Sequence, residues 1–202
     1  GGDVKFLDLN GDGVVNQGKN TVDDPGDRTI IGNNQPRYNY GLNLSFQYFG
    51  FDFGIFFQGI GKMDWAPATN NVLFYGPYAR PYATLIPRDF HKMIWSEDNP
   101  DAYLPRPRGY VGLGSNRELT VPSDRYLQDI SYCRLKNVTF GYTVPKSLTD
   151  KIGMGPVRFY FSGENLHYWS PFKKHSKYID PEMAKTNSTN RIYPWQRSFM
   201  FG

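Results

Sequence analysis

The chain has a single cysteine, Cys133, in 202 residues. That excludes an internal disulfide and any zinc cluster built on cysteines. Histidine is scarce too. His91, His167 and His175 are not spaced as a ligand pair on one helix. There is no Gly-x-Ser-x-Gly elbow and no phosphate loop. No run of about 18 apolar residues occurs, so a transmembrane helix is excluded. Charged residues make up 21%, and the 23 basic ones are scattered, with only Lys173-Lys174 standing out. A nucleic-acid partner would need them clustered on one face, so none is expected. A secretory signal is not visible, but Gly1-Gly2-Asp3 reads as a cut from something longer.

Aromatic residues, in contrast, are abundant at 17%, with 15 Tyr and 15 Phe, which argues against disorder. With 21 Gly and 15 Pro for turns, the composition predicts β structure. Tyr38, Tyr40, Leu42, Leu44, Phe46 and Tyr48 alternate with Asn39, Gly41, Asn43, Ser45 and Gln47. A period of two over eleven residues predicts a strand. Residues 51–58 continue it, with Phe56 as the exception, and Phe49-Gly50 predicts a hairpin turn. Alternation recurs at 137–144, 157–162 and 198–202, with a slip of phase near Leu135-Lys136 that suggests a bulge. Eleven residues is the length of a membrane-spanning β-strand, and longer than a typical soluble strand of about 5–6. An antiparallel sheet with one solvated face would show the same alternation. Short turns at 49–50 and 145–156 alternate with long connections at 61–127 and 166–193, an asymmetry of outer-membrane barrels. About five spanning strands cannot close a barrel, whose smallest form has about eight, so the chain is expected to be part of a larger one.

Two stretches are candidate sites. Asp8, Asn10, Asp12, Val14 and Asn16 stand at the spacing of an EF-hand-type calcium loop, with Gly13 for the sharp turn. Lys19 occupies the place of the bidentate Glu, so Asp23 or Asp24 is expected to close the site, with Asp27 a further candidate. The same residues could also form Asx-turns without metal. Calcium would be structural, and no organic cofactor is expected. Trp65, Tyr75, Tyr78, Tyr82 and Trp95 lie on the 61–127 connection, where aromatic faces could grip a sugar or a peptide side chain. For most of them the favoured reading is the small core that so long a loop needs. Glu97, Asp98 and Asp101 beside Trp95 raise a glycoside hydrolase, a reading that a solvated loop outweighs. No enzymatic activity is expected.

The ordered set of motifs resembles the C-terminal part of the SusC/RagA family of TonB-linked outer-membrane transporters. Its parts are Gly2-Asp3-Val4-Lys5-Phe6 before the Asp-rich loop, Asp27–Asn33 with Pro36, and Tyr40–Leu44 with Phe56–Gly59. Trp95–Pro100 with Pro105-Arg106, Tyr132–Tyr142, Gly163–Leu166, Asp180–Glu182 and Tyr193–Arg197 complete it. The chain stops at Phe199-Met200-Phe201-Gly202, where that family usually continues to a terminal aromatic. The resemblance implies an all-β fold: residues 1–202 as a C-terminal portion of an antiparallel transmembrane β-barrel. That portion would hold about five spanning strands of a larger plugged barrel in the outer membrane of a Gram-negative bacterium. Segments 1–37, 61–127 and 166–193 would be extracellular. The implied activity is import of oligosaccharides or peptides with a SusD-like surface lipoprotein. TonB would act through an N-terminal region absent from these residues. The alternative from composition alone is a secreted calcium-stabilised β-rich glycan-binding domain.

Overall fold

The computed structural model describes residues 1–79, 86, 88–108, 119, 121–186 and 195–202. Their contacts divide into two compact units. Among the described residues, one comprises Gly1–Gly32 and those of Ala66–Leu127; the other comprises Asn33–Trp65 and those of 128–186 and 195–202.

The second unit is built on a five-stranded antiparallel sheet. Its strands are β1 (Tyr38–Tyr48), β2 (Phe51–Gly61), β5 (Tyr132–Thr143), β6 (Arg158–Trp169) and β7 (Ser198–Phe201). They lie in the order β1-β2-β5-β6-β7, so the sheet is open at β1 and at β7. A small sheet pairs β3 (Asp64–Trp65) with β4 (Gln128–Asp129). The β1–β2 turn holds Phe49 at φ 45° and Gly50 at φ 82°. Two positive φ angles match the right-handed twist of the flanking strands.

Antiparallel registration converts the sequence alternation into cross-strand rows. One face carries Tyr48, Phe51, Tyr142 and Phe159 side by side. The next row is Phe46, Phe53, Phe140, Phe161 and Phe201, followed by Leu44, Ile55, Val138, Gly163 and Phe199. Leu42, Phe57 and Leu135 follow, and Tyr40, Gly59, Cys133 and Trp169 end it. The opposite face carries rows such as Asn43, Phe56, Asn137, Glu164 and Ser198. There Arg158 forks onto Asp52, with Nη2 to Oδ2 at 2.6 Å and Nε to Oδ1 at 3.2 Å.

The slip of phase is a bulge at Lys136. Phe56 and Phe57 are successive on β2, yet they face Asn137 and Leu135 on β5. One extra residue restores the apolar face above the bulge, which is why Leu135 joins Leu42 and Phe57. On β6, Asn165 at φ 51° accommodates the same irregularity. β6 runs to Trp169, longer than the alternation suggested, so the connection expected from residue 166 begins after it. The 145–156 connection holds α2 (Lys146–Thr149) and a 3-10 turn at Asp150–Ile152.

Behind the polar face, the core of this unit gathers Ile60, Trp65, Ile130, Tyr132, Phe172 and Ile179. Two short helices, α3 (Lys173–Ser176) and α4 (Pro181–Ala184), come from the 170–186 segment. The other unit holds a helix of one turn, α1 (Val72–Tyr75), capped by the Asn71 side chain, and 3-10 turns at Gly76–Tyr78 and Phe90–Met93. Phe74, Tyr75, Tyr103 and Tyr126 meet there edge to face, the favoured geometry for aromatic quadrupoles. Among the described residues no helix is long and apolar enough to cross a membrane.

Candidate functional site

The most extensive feature is the apolar face of the sheet. Leu42, Leu44, Phe46, Tyr48, Phe140, Phe159, Phe199 and Phe201 are all exposed, Leu44 by 50%. Monomeric soluble proteins rarely show so broad a contiguous apolar surface. Its rows are graded: aliphatic and Phe side chains in the middle, with Tyr48 and Tyr142 at one end and Tyr40 and Trp169 at the other. Amphipathic rings at both ends of an apolar band are the pattern of a sheet that meets two membrane–water interfaces. Ten steps along β1, at about 3.3 Å each, span roughly 33 Å. At a barrel tilt of about 40° that is a height of roughly 25 Å, the height of a lipid-facing band.

The Asp-rich loop is a ladder of side-chain-to-backbone bonds. Asp8 accepts from the amides of Gly11 (2.7 Å) and Gly13 (2.8 Å). Asn10 Oδ1 accepts from Asp12, and Asp12 Oδ1 from Val14. The Val14 carbonyl accepts from the Asn16 side chain at 3.0 Å. Asp27, rather than Asp23 or Asp24, folds back over the loop. Its carboxylate accepts from the amides of Leu9 and Asn16, both at 2.7 Å. Those bonds, with Asn16 contributing most, hold the Asp27 carboxyl below the usual carboxylate range. The stabilisation is therefore present above the ordinary carboxylate pKa and is lost as pH falls through the lowered one. Asp24 instead closes a local turn with Thr21. Among the described residues no three His, Cys, Asp or Glu side chains form a ready metal cluster.

The same unit contains a cleft of about 830 Å³. Gly2–Leu7 and Arg28, Thr29 and Ile31 line it, with Trp95, Leu104, Arg125 and Tyr126. Gly2, at φ 87°, lies so close to the Trp95 indole that a Cβ would stand 2.5 Å from its ring. Only glycine permits both, which accounts for the Gly-Asp start of the first motif. Arg125 donates to the carbonyls of Tyr103 and Ala102. Glu97, Asp98 and Asp101 lie exposed on the adjacent turns.

Of the described aromatic candidates, Trp95 alone lines this cleft. Tyr75 and Tyr78 are only 2% and 1% exposed and fill the core of their unit. Tyr78 donates to the Pro105 carbonyl, and burial pushes both phenols up. Trp65 is buried edge-on against Phe172 in the sheet unit. Burial leaves these three rings no face for a substrate. Tyr82 lies outside the described residues.

One cluster joins two of the motifs of the resemblance, Tyr132–Tyr142 and Asp180–Glu182. Arg134, 2% exposed, donates from Nη2 to both oxygens of Asp180 at 2.6 Å, and Glu182 lies 2.9 Å from its Nε as an ion pair without hydrogen-bond geometry. Lys136, at the bulge, reaches Glu182 at 2.8 Å and lies over the Trp195 ring. Asp180 also caps α4 by accepting from the Glu182 amide. The sequence marked both segments but not their pairing, which spans 46 residues.

These features define a sheet with one polar and one lipid-compatible face, and the comparisons agree with that class. The chain is similar over most or all of its length to TonB-dependent receptors, of which it spans a small portion. It is 32% identical over 100% of its residues to TonB-dependent receptor P3 of Formosa agariphila, and 30% identical over 90% to TonB-dependent receptor P26 of the same organism. It spans only 18% and 16% of those two relatives. No family model matches the chain. In fold it is similar to the RagAB peptide importer in the closed-closed state, with a TM-score of 0.59 and 21% identity over 85% of this chain and 17% of that one. The open-open state gives 0.52 and 22% over 76% of this chain and 15% of that one. These relatives are receptors and importers, not enzymes.

Proposed function

We propose that this chain is a C-terminal portion of the β-barrel of an outer-membrane TonB-dependent importer. The observation that carries the reading is the exposed apolar face, graded from aliphatic centre to aromatic ends across registered strands. In water that face would be a liability, whereas in a bilayer it is a solvent-matched wall. The polar face, with Asn43, Thr139 and the Asp52–Arg158 pair, then lines the lumen. The edges at β1 and β7 pair with strands from the rest of the barrel, since an open edge in lipid leaves backbone groups unsatisfied. The cargo is an oligosaccharide or a peptide, handed over with a SusD-like surface lipoprotein, and TonB acts through a plug region outside these residues. The fold neighbours support the peptide side of this choice.

Turn 49–50 and connection 145–156 leave the same end of the sheet, where Thr143 donates to the Gly50 carbonyl. In this reading that end is periplasmic, and the 61–127 connection is extracellular. Glu97→Cys in the intact parent, with Cys133→Ser as background, is expected to react with an impermeant thiol reagent on whole cells. Labelling seen only after outer-membrane rupture would invert the topology.

The Asp-rich loop is proposed as a structural calcium site. Asp8, Asn10 and Asp12 supply side-chain oxygens, Val14 its carbonyl and Asn16 a direct or water-mediated contact, with Asp27 as the nearest closing carboxylate. Without the bidentate Glu, the dissociation constant is expected on the order of 10⁻⁴–10⁻³ M. Calcium titration of the intact transporter should show one site that the Asp8→Ala/Asp12→Ala variant lacks. Equal binding by both would reduce the loop to a set of turns.

A further inference from the structure

The cleft of about 830 Å³ lies wholly within the unit that contains residues 1–32. Two stretches of chain, residues 3–7 and 28–31, contribute to its walls. From Gly2 to Leu7 the residues are alternately half-buried and exposed, with Val4 and Phe6 the more buried and Asp3, Lys5 and Leu7 exposed. A period of two is the signature of a strand. Yet no main-chain N–H or C=O of residues 3–7 has a hydrogen-bond partner among the described residues, and the same holds for residues 28–31. On either side of residues 3–7 the chain does pair: the Gly2 carbonyl accepts from the Arg106 amide at 2.6 Å, and the Leu9 amide donates to Asp27. A strand with bare edges is a template for another extended chain.

The lining narrows the choice of ligand. Leu7, Ile31 and Val121 keep exposed apolar side chains along it. The side chains of Lys5 and Asp124, also in the lining, are exposed and make no ion pair or hydrogen bond among the described residues. They offer one charge of each sign. A peptide carries both signs and places its side chains on alternate faces, whereas a neutral sugar does neither. Stacking a sugar needs an open ring face. Here Gly2 packs on the Trp95 indole, and Tyr126 is almost wholly buried.

We propose that the cleft binds an extended peptide by strand addition along residues 3–7. The peptide main chain pairs with one edge of that stretch, and its alternate side chains rest on the apolar lining. Main-chain bonds then supply the affinity, with little demand on sequence. Five residues at about 3.3 Å each give a contact of roughly 17 Å, the span of a peptide of about five residues. The inference rests on the importer reading for the source of its peptide.

The test titrates the intact transporter in detergent calorimetrically with the pentapeptide Thr-Val-Thr-Val-Thr and with maltopentaose. Two analogues of the peptide are compared, one N-methylated on its second and fourth residues and one on its third and fifth. One analogue is expected to bind about ten-fold more weakly than the unmodified peptide, because it loses two backbone hydrogen bonds, and the other nearly as well. Val4→Pro and Lys5→Pro remove amides on opposite edges of the strand, so one should erase that difference and the other preserve it. If both variants lose binding, the methylation penalty on the unaltered protein decides alone. Equal affinity for all three peptides, or no binding, overturns the proposal. So does binding of maltopentaose alone, which would make this a sugar cleft. A structure of the intact parent in which another stretch of the same chain already pairs with residues 3–7 overturns it too. TonB-dependent uptake of the peptide that neither methylation nor either proline affects would sink the cleft and spare the importer reading. The methylation penalty without any uptake by cells would sink the importer reading and leave the cleft standing.

Discussion

Asp180→Ala in the intact parent is expected to destabilise the 170–186 segment by about 3–5 kcal/mol, the usual consequence of stranding a buried charge. Arg134 is almost wholly buried, and Asp180 supplies both of the oxygens that its Nη2 contacts at 2.6 Å. Glu182 cannot take over, because it is shared with Lys136. The same substitution removes the cap of α4. Protease sensitivity at Lys173, Lys174 and Lys177 reports the local opening directly. The double variant Arg134→Met/Asp180→Leu should recover much of the loss, since an apolar pair of similar volume removes both buried charges. A loss below about 1 kcal/mol for Asp180→Ala would mean that water reaches Arg134 and that the segment is not pinned there.

Leu44→Arg or Phe140→Arg is expected to cost about 2–4 kcal/mol in the folded parent if these positions sit near the bilayer midplane. Both lie in the inner rows of the apolar face, away from the Tyr-bearing ends. Asn43→Arg and Thr139→Arg, one residue along the same strands, should be tolerated better, because a strand turns successive side chains to opposite faces. Refolding of the four variants into lipid vesicles, followed by denaturant titration, measures the difference. Equal costs on both faces would mean that this sheet does not stand in a bilayer.

Much of the sheet was legible in the chain itself. The 38–48 alternation, the Phe49-Gly50 turn and the slip at Lys136 are local, so side-chain period and φ preference suffice to place them. The same holds for the Asx ladder of residues 8–16, where each bond spans two to five residues. Other assignments depended on distant partners. The aromatic connection favoured a core for most of its rings without saying which, and only packing placed Tyr75 and Tyr78 inside while leaving Trp95 along the cleft.

What the amino-acid order determines alone is which residues share a face: period two separates Leu44 from Asn43 whatever the strand pairs with. Tertiary structure decided which strands lie side by side, and so turned five alternating segments into the registered rows of one apolar wall. It also chose Asp27 over Asp23 and Asp24 as the acid that reaches the calcium-like loop. It brought Arg134 onto Asp180 across 46 positions of chain. Periodicity is a property of neighbours in sequence, whereas a carboxylate finds its partner through the path of the backbone between them. That path is set by the whole fold, and no local pattern encodes it.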